Sequence, residues 1–218
     1  RNPKREPFEM TPSMRIGTAF HYMIGEPDLV SAKLAGMPDG MIRRGKAWDD
    51  FKSENDGKII LSYSEMESAR EMDRAMRAHP IFEVISKGSL AERSFYWRCP
   101  VTGADLKARP DLINTEERAI FDFKSTGDIS DEGVTGTFHN FNYRVQAAMC
   151  LDGLNAATES SDWDVFYFVA IENKAPWSVR LFDITEKALT DGRRLYQSAA
   201  VKWVECEKAQ AWPSFDPQ

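Results

Sequence analysis

No apolar run in this chain approaches 18 residues, so nothing in it has the length and character of a membrane-spanning helix. No secretory leader pattern is visible at its start. The first residue is Arg1 rather than Met, as in a chain trimmed from a longer protein. Cysteine is scarce: Cys99, Cys150 and Cys206 are the whole complement. They lie far apart, with no CxxC or Cys/His spacing, which argues against structural zinc, an iron–sulfur cluster and a disulfide framework. A sparse, odd count suits a reducing compartment, and a cytoplasmic location is expected. An excess of basic charge is also missing. Lys and Arg number 28 against 34 Asp and Glu, a net charge of −6. That argues against a protein that coats nucleic acid nonspecifically, but not against one that grips it in a local basic groove. Internal repeats and low-complexity linkers are absent too.

What is present is enough for one sizeable α/β domain: 218 residues, 42% hydrophobic and 11% aromatic. The expected organisation is a single domain over 1–218. It has an extended arm (1–10), a mostly helical N-terminal part (11–88), a core (89–185), and a C-terminal helix with a tail (186–218). Thr11 and Pro12 offer an N-cap and a first helical position, and apolar residues from Met14 to Ile24 fall at helical spacing. Residues 31–48 read as irregular, with a basic cluster at Arg43, Arg44 and Lys46. A short helix is expected over 45–54 and a strand over 58–61. Ser64 with Glu67 has capping-box spacing and opens a helix to about His79. Residues 89–99 read as one aromatic strand, 127–136 as an acidic loop and 137–157 as a helix. Asp164–Glu172 is a buried strand with a partner over 177–184, and Thr185 caps a long final helix. The sum is a mixed central sheet with helices packed on its faces.

The chemistry concentrates between Arg109 and Thr126. Two β-prone runs, 107–113 and 119–124, flank the turn residues Asn114–Arg118, which is a hairpin signal. Side chains two apart on a strand share a face, so Asp122 and Lys124 project together. The hairpin folds Asp111 back towards them. Taken alone, Asp-x-Lys on a strand is a common solvated ion pair. Here it sits among Ala119, Ile120, Phe121 and Phe123, and a buried charge needs a partner or a metal. Two carboxylates and an ammonium can hold a hard divalent cation with a water beside it.

Pro110-Asp111, ten residues, then Asp122-Phe123-Lys124 matches the signature of the PD-(D/E)xK nuclease superfamily. Gly17-Thr18-Ala19-Phe20-His21 resembles the GTAxH helix of its RecB-like branch. The run Ala91-Glu92-Arg93-Ser94-Phe95-Tyr96-Trp97 resembles the strand that carries an upstream acid. Asp122 to Thr126 resembles the D-x-K-T-T strand end, and Tyr143-Arg144-Val145-Gln146 resembles the YxxQ helix. Met14 to Pro27 and Ser94 to Trp97 are similar to RecE-type exonucleases (exodeoxyribonuclease VIII) in particular.

The resemblance implies a restriction-endonuclease-like α/β fold and a deoxyribonuclease that resects linear duplex DNA, 5′ to 3′, leaving 3′ tails for recombination and repair. It implies Mg²⁺, or Mn²⁺, with two ions held by His21, Glu92, Asp111, Asp122 and the carbonyl of Phe123. Lys124 would orient or deprotonate water, and Tyr143 and Gln146 would order the ion's surroundings or a scissile phosphate. Ser13, Arg15, Thr18 and Arg109, with the basic loop Arg43 and Arg44, are candidate phosphate contacts. A ring-shaped homo-oligomer (trimer or tetramer) and a single-strand annealing partner come from the resemblance alone. The competing readings are an endonuclease or an iron–sulfur exonuclease of the same fold, a catalytically silent DNA- or protein-binding module, and a plain scaffold with these charges on its surface.

Overall fold

Local chemistry writes several of the helix starts. In the computed structural model, which describes residues 9–213, Thr11 accepts a hydrogen bond from the Met14 amide and Pro12 takes the first helical position. Helix α1 (Pro12–Gly25) therefore begins where its caps predict. A 3₁₀ turn (Pro27–Leu29) leads to α2 (Val30–Lys33), β1 (Leu34–Gly36), α3 (Lys46–Glu54), β2 (Ile59–Leu61), α4 (Tyr63–Ala78) and α5 (Ile81–Ser86). Five strands follow: β3 (Ser89–Ala91), β4 (Phe95–Arg98), β5 (Asp105–Ala108), β6 (Leu112–Asn114) and β7 (Ala119–Thr126). Then come α6 (Asp131–Asn140), α7 (Tyr143–Thr158), β8 (Val165–Glu172), β9 (Val179–Asp183) and α8 (Glu186–Ala209), the last capped by Thr185 as expected. The arm over 1–8 and the end of the tail lie outside the described residues.

The mixed α/β class is as read from the sequence. The central sheet has the order β3-β6-β7-β8-β9, with β7 in the middle, and helices flank it. Two small pairs stand beside it, β1 with β2 in parallel and β4 with β5 in antiparallel. The chain forms two compact units. One holds the residues through Phe82 with Phe123–Ile129 and Ala170–Arg180; the other holds Glu83–Asp122, Ser130–Val169 and the chain from Leu181 on. The first has an apolar core of Ala19, Met23, Leu34, Leu61, Met66 and Ala69. The second packs Ile113, Ile120, Leu151, Phe166 and Phe168 under α7 and α8. Those helices approach so closely that a Cβ on Gly192 would meet the Arg144 carbonyl oxygen. Asp152 on α7 ties them further, accepting from Tyr196 Oη at 2.7 Å and Arg193 Nε at 2.9 Å.

Six local readings need correction. The run over 107–113 is not one strand: its start belongs to β5, paired with β4, and its end to β6, paired with β7. The capping box of α4 is formed by Ser62 and Glu65, not Ser64 and Glu67: the Ser62 hydroxyl accepts from the Glu65 amide at 3.2 Å, and Glu65 takes the Ser62 amide at 2.8 Å. The same spacing occurs twice in Ser-Tyr-Ser-Glu-Met-Glu, and the end of β2 at Leu61 selects the earlier one. The aromatic strand over 89–99 is two strands, because Glu92 adopts a left-handed φ of 50°. The long helix over 137–157 is also two, broken at Asn142, a residue type that tolerates its φ of 53°. The acidic loop over 127–136 becomes helical from Asp131, since the Ser130 hydroxyl caps Gly133. The irregular stretch 31–48 contains α2 and β1, whose three residues are too few for a period to register.

Candidate functional site

The second unit builds its acidic cluster from strand register. Strand β6 pairs β7 with Leu112 opposite Phe121, Ile113 opposite Ile120 and Asn114 opposite Ala119. One step beyond the last pair, Asp111 falls opposite Asp122. On its other edge β6 pairs β3, with Ala91 opposite Leu112, so one step further Asp111 also faces Glu92. The Glu92 amide donates to the Asp111 carbonyl at 2.9 Å. A carboxylate oxygen of each lies within 4.8 Å of the other. The register thus sets the backbone positions of Glu92, Asp111 and Asp122 in a row across three strands.

Asn114 holds this register. It is fully buried. Its Nδ2 donates to the carbonyls of Val84 (3.0 Å) and Lys87 (2.9 Å), and its Oδ1 accepts from the amides of Glu116 (3.0 Å) and Glu117 (2.8 Å). It reads in the sequence as an ordinary turn residue, although Asn before a Thr-Glu-Glu turn signals this kind of side-chain-to-backbone bonding.

Asp122 is 1% exposed. Gln146 Nε2 on α7 donates to its Oδ2, so the YxxQ helix meets the central strand through this pair. Tyr143, one turn earlier on α7, stacks on Phe168 with centroids 5.5 Å apart and on Phe141 at 5.8 Å. Arg109 Nε sits 3.0 Å from Glu92 Oε2. Crowding carboxylates in a half-buried place favours whatever balances their charge, a proton or a cation. The left-handed backbone at Glu92 adds strain, of the kind that persists when surrounding structure holds a side chain where it is needed.

The first unit explains the GTAFH run. A Cβ on Gly17 would come 2.7 Å from Ser125 Oγ, so only glycine lets α1 lie this close to β7. Phe20 meets Phe123 edge to face at 5.6 Å, and the His21 ring lies 6.3 Å from that of Phe123. His21 is half-buried. Lys124 follows Phe123, is half-buried, and shares the Asp122 face of the strand by alternation.

The proposed phosphate contacts of this unit are engaged or solvated. Arg15 reaches Glu65 through Nε (3.1 Å) and Nη2 (2.5 Å), and the Met10 carbonyl through Nη1. Burial raises the Glu65 carboxyl, but the Arg15 and Ser62 hydrogen bonds and the Arg15 and Arg43 charges outweigh it and hold the group below its ordinary value. Arg43 lies 3.9 Å from Glu65 and 5.8 Å over Trp48. Arg44 and Ser13 are exposed, and Thr18 is half-buried. Glu65 as the partner of Arg15 was missed in the sequence; its signal is the earlier Ser-x-x-Glu.

Among solved structures, the chain is similar to a presumptive exonuclease from Eubacterium rectale, with a TM-score of 0.69 and 14% identity over 96% of this chain and 73% of that one. That likeness is one of fold. It is also similar to a phage-related exonuclease from Haemophilus somnus 129PT, at a TM-score of 0.40 and 13% identity over 94% and 97% of the two chains, too distant to carry an argument. No curated protein sequence matches it. The family model described as a PDDEXK-like domain of unknown function (DUF3799) matches residues 1–215. With the Asp111, Asp122 and Lys124 signature on a hairpin at the middle of a mixed sheet, the chain belongs to the PDDEXK-like family.

Proposed function

We propose that this protein is a divalent-metal-dependent deoxyribonuclease that digests linear duplex DNA from its ends, 5′ to 3′, leaving 3′ single-stranded tails for recombination. The observation that carries the reading is the register that sets Glu92, Asp111 and Asp122 side by side, with Gln146 on Asp122. Membership of the PDDEXK-like family supports it.

The donor set fits a divalent cation. Glu92 and Asp111 bring carboxylate oxygens close to one another, and hard oxygens in such a group suit Mg²⁺ or Mn²⁺. Asp122, the Phe123 carbonyl and the His21 imidazole complete the proposed ligands of up to two ions. Bound there, the metal supplies Lewis-acid stabilisation of the phosphate and a more acidic water. The chain's own residues do the rest. Lys124 Nζ holds the attacking water and exchanges its proton, a task that suits an ammonium on a largely buried strand. Gln146 keeps one oxygen of Asp122 turned towards its amide. Tyr143, held in its aromatic stack, lines the approach to Gln146, and Arg109 beside Glu92 steers a phosphate. Ser13, Arg15, Thr18, Arg43 and Arg44 are weaker phosphate candidates, Arg15 least so because Glu65 engages it.

The same reading expects a cytoplasmic homo-oligomeric ring working with a single-strand annealing protein. No helix among the described residues is long and apolar enough to cross a membrane. Incubation of end-labelled linear duplex and of closed circular DNA, with Mg²⁺ or EDTA, tests it. The expected outcome is loss of the linear substrate with Mg²⁺ and none in EDTA or with Lys124→Ala. Cleavage of the circle overturns exonuclease action, and activity in EDTA overturns the metal.

A further inference from the structure

The β4–β5 ribbon of the second unit is not accounted for by this chemistry, and its outward face is unusual for an acidic protein. In its register Tyr96 lies opposite Lys107 and Arg98 opposite Asp105. Tyr96 is 67% exposed. Lys107 Nζ sits 5.4 Å over its ring. Lys107 and Arg109, two apart, are both exposed. The outward side chains are three cations and a tyrosine in a chain whose net charge is −6; Arg98 faces Asp105, Arg109 reaches Glu92, and Lys107 lies over Tyr96.

The face continues into a groove. Lys107 and Arg109 line it together with Phe141, Tyr143 and Gln146. Phe141 is 69% exposed, an arrangement that hydrophobicity does not favour for so large a ring. It stacks on Tyr143 with an interplanar angle of 19°, so its orientation is set rather than loose. Gln146, part of the same lining, donates to Asp122. Cations at strand spacing with exposed, pre-oriented aromatic rings form a surface suited to a chain of alternating phosphates and unstacked bases. A duplex keeps its bases stacked and presents no ring faces for Tyr96 and Phe141.

We propose that the β4–β5 ribbon and the Phe141 groove bind a single DNA strand, with bases on Tyr96 and Phe141 and phosphates on Lys107 and Arg109, and lead it to or from the acidic cluster. This rests on the nuclease reading for its biological sense, but not for its test. Binding of a fluorescent single-stranded oligonucleotide is measured by anisotropy in EDTA, where no cleavage is needed, over a series of salt concentrations. Tyr96→Ala and Phe141→Ala are each expected to weaken binding by about tenfold, the order seen for loss of one stacked base. Lys107→Glu should weaken it and lower the slope of log affinity against log salt by about 0.7, one single-strand phosphate contact, while Lys107→Arg retains both. Circular dichroism melts of each variant check the fold, and these exposed side chains leave the core untouched. A wild-type protein that binds no single strand in EDTA overturns the proposal, as do variants that bind like wild type. DNA cleavage by the wild type in Mg²⁺ is read separately, so failure of the nuclease reading is distinguishable from failure of this one.

Discussion

Two places in this molecule bury acidic side chains, and they differ in what surrounds them. Glu65, in the first unit, is enclosed by opposite charge and donors: Arg15 through two nitrogens, the Ser62 amide, and Arg43 further off. Its carboxylate is neutralised and caps a helix at the same time. In the second unit Glu92, Asp111 and Asp122 are set beside one another by strand register. The first arrangement lowers the energy of the fold by itself. The second aligns like charges along a register, with Arg109 on Glu92 and Gln146 on Asp122, and a structure retains such crowding where a ligand or a reaction uses it. The presence of a buried acid therefore says little about function; the sign of its neighbours says more.

That contrast can be broken by exchanging stability for activity at each place. The largest expected effect is at Asp122. Asp122→Asn keeps the shape and removes one of the clustered charges, so nuclease activity should fall by about a thousandfold or more, the scale of losing an essential group. Its melting temperature should equal or exceed the wild type's. A clear loss of stability instead would make Asp122 a structural acid like Glu65. Next, Glu65→Ala should cost about 2 kcal/mol in urea unfolding, between the values for exposed and fully buried ion pairs. Asn at Asp122 and Ala at Glu65 should thus give opposite patterns.

A smaller effect belongs to Gln146→Ala, which deletes the donor to Asp122. About a tenfold loss in kcat/KM is expected, or about 1.4 kcal/mol. Gln146→Glu should be worse than Ala, since it adds another like charge beside Asp122; rescue by Glu would remove Gln146 from this role. The smallest effect is the pH dependence of the Arg15–Glu65 pair. The folded carboxyl lies below its ordinary 4.5. Its contribution is fully present above that value and lost as pH falls through the folded one. Wild-type stability should therefore drop faster than that of Glu65→Gln below about pH 4.5, as read from urea midpoints at a series of pH values. Parallel curves would show that the pair does not form in solution.

Much was legible because it is local. The Thr11 and Thr185 caps, the buried β7 and β8, and the Asn114 turn follow from neighbouring residues and a period of two or 3.6. Breaks set by a single backbone angle, at Glu92 and Asn142, were not legible: Asn adopts either conformation, and at Glu92 tertiary packing imposes one that Glu rarely takes. The capping box misread at Ser64 shows the same limit: two equal local patterns compete, and the end of β2 decides.

The sequence by itself determined the hairpin that folds Asp111 towards Asp122, since spacing and turn residues are properties of the chain alone. Tertiary structure decided the rest. Pairing of β3 with β6 brings Glu92 into line with Asp111, α7 delivers Gln146 to Asp122, and Glu65 claims Arg15. The physical reason is that register and helix packing are chosen by contacts between residues distant in the chain, which no local period records.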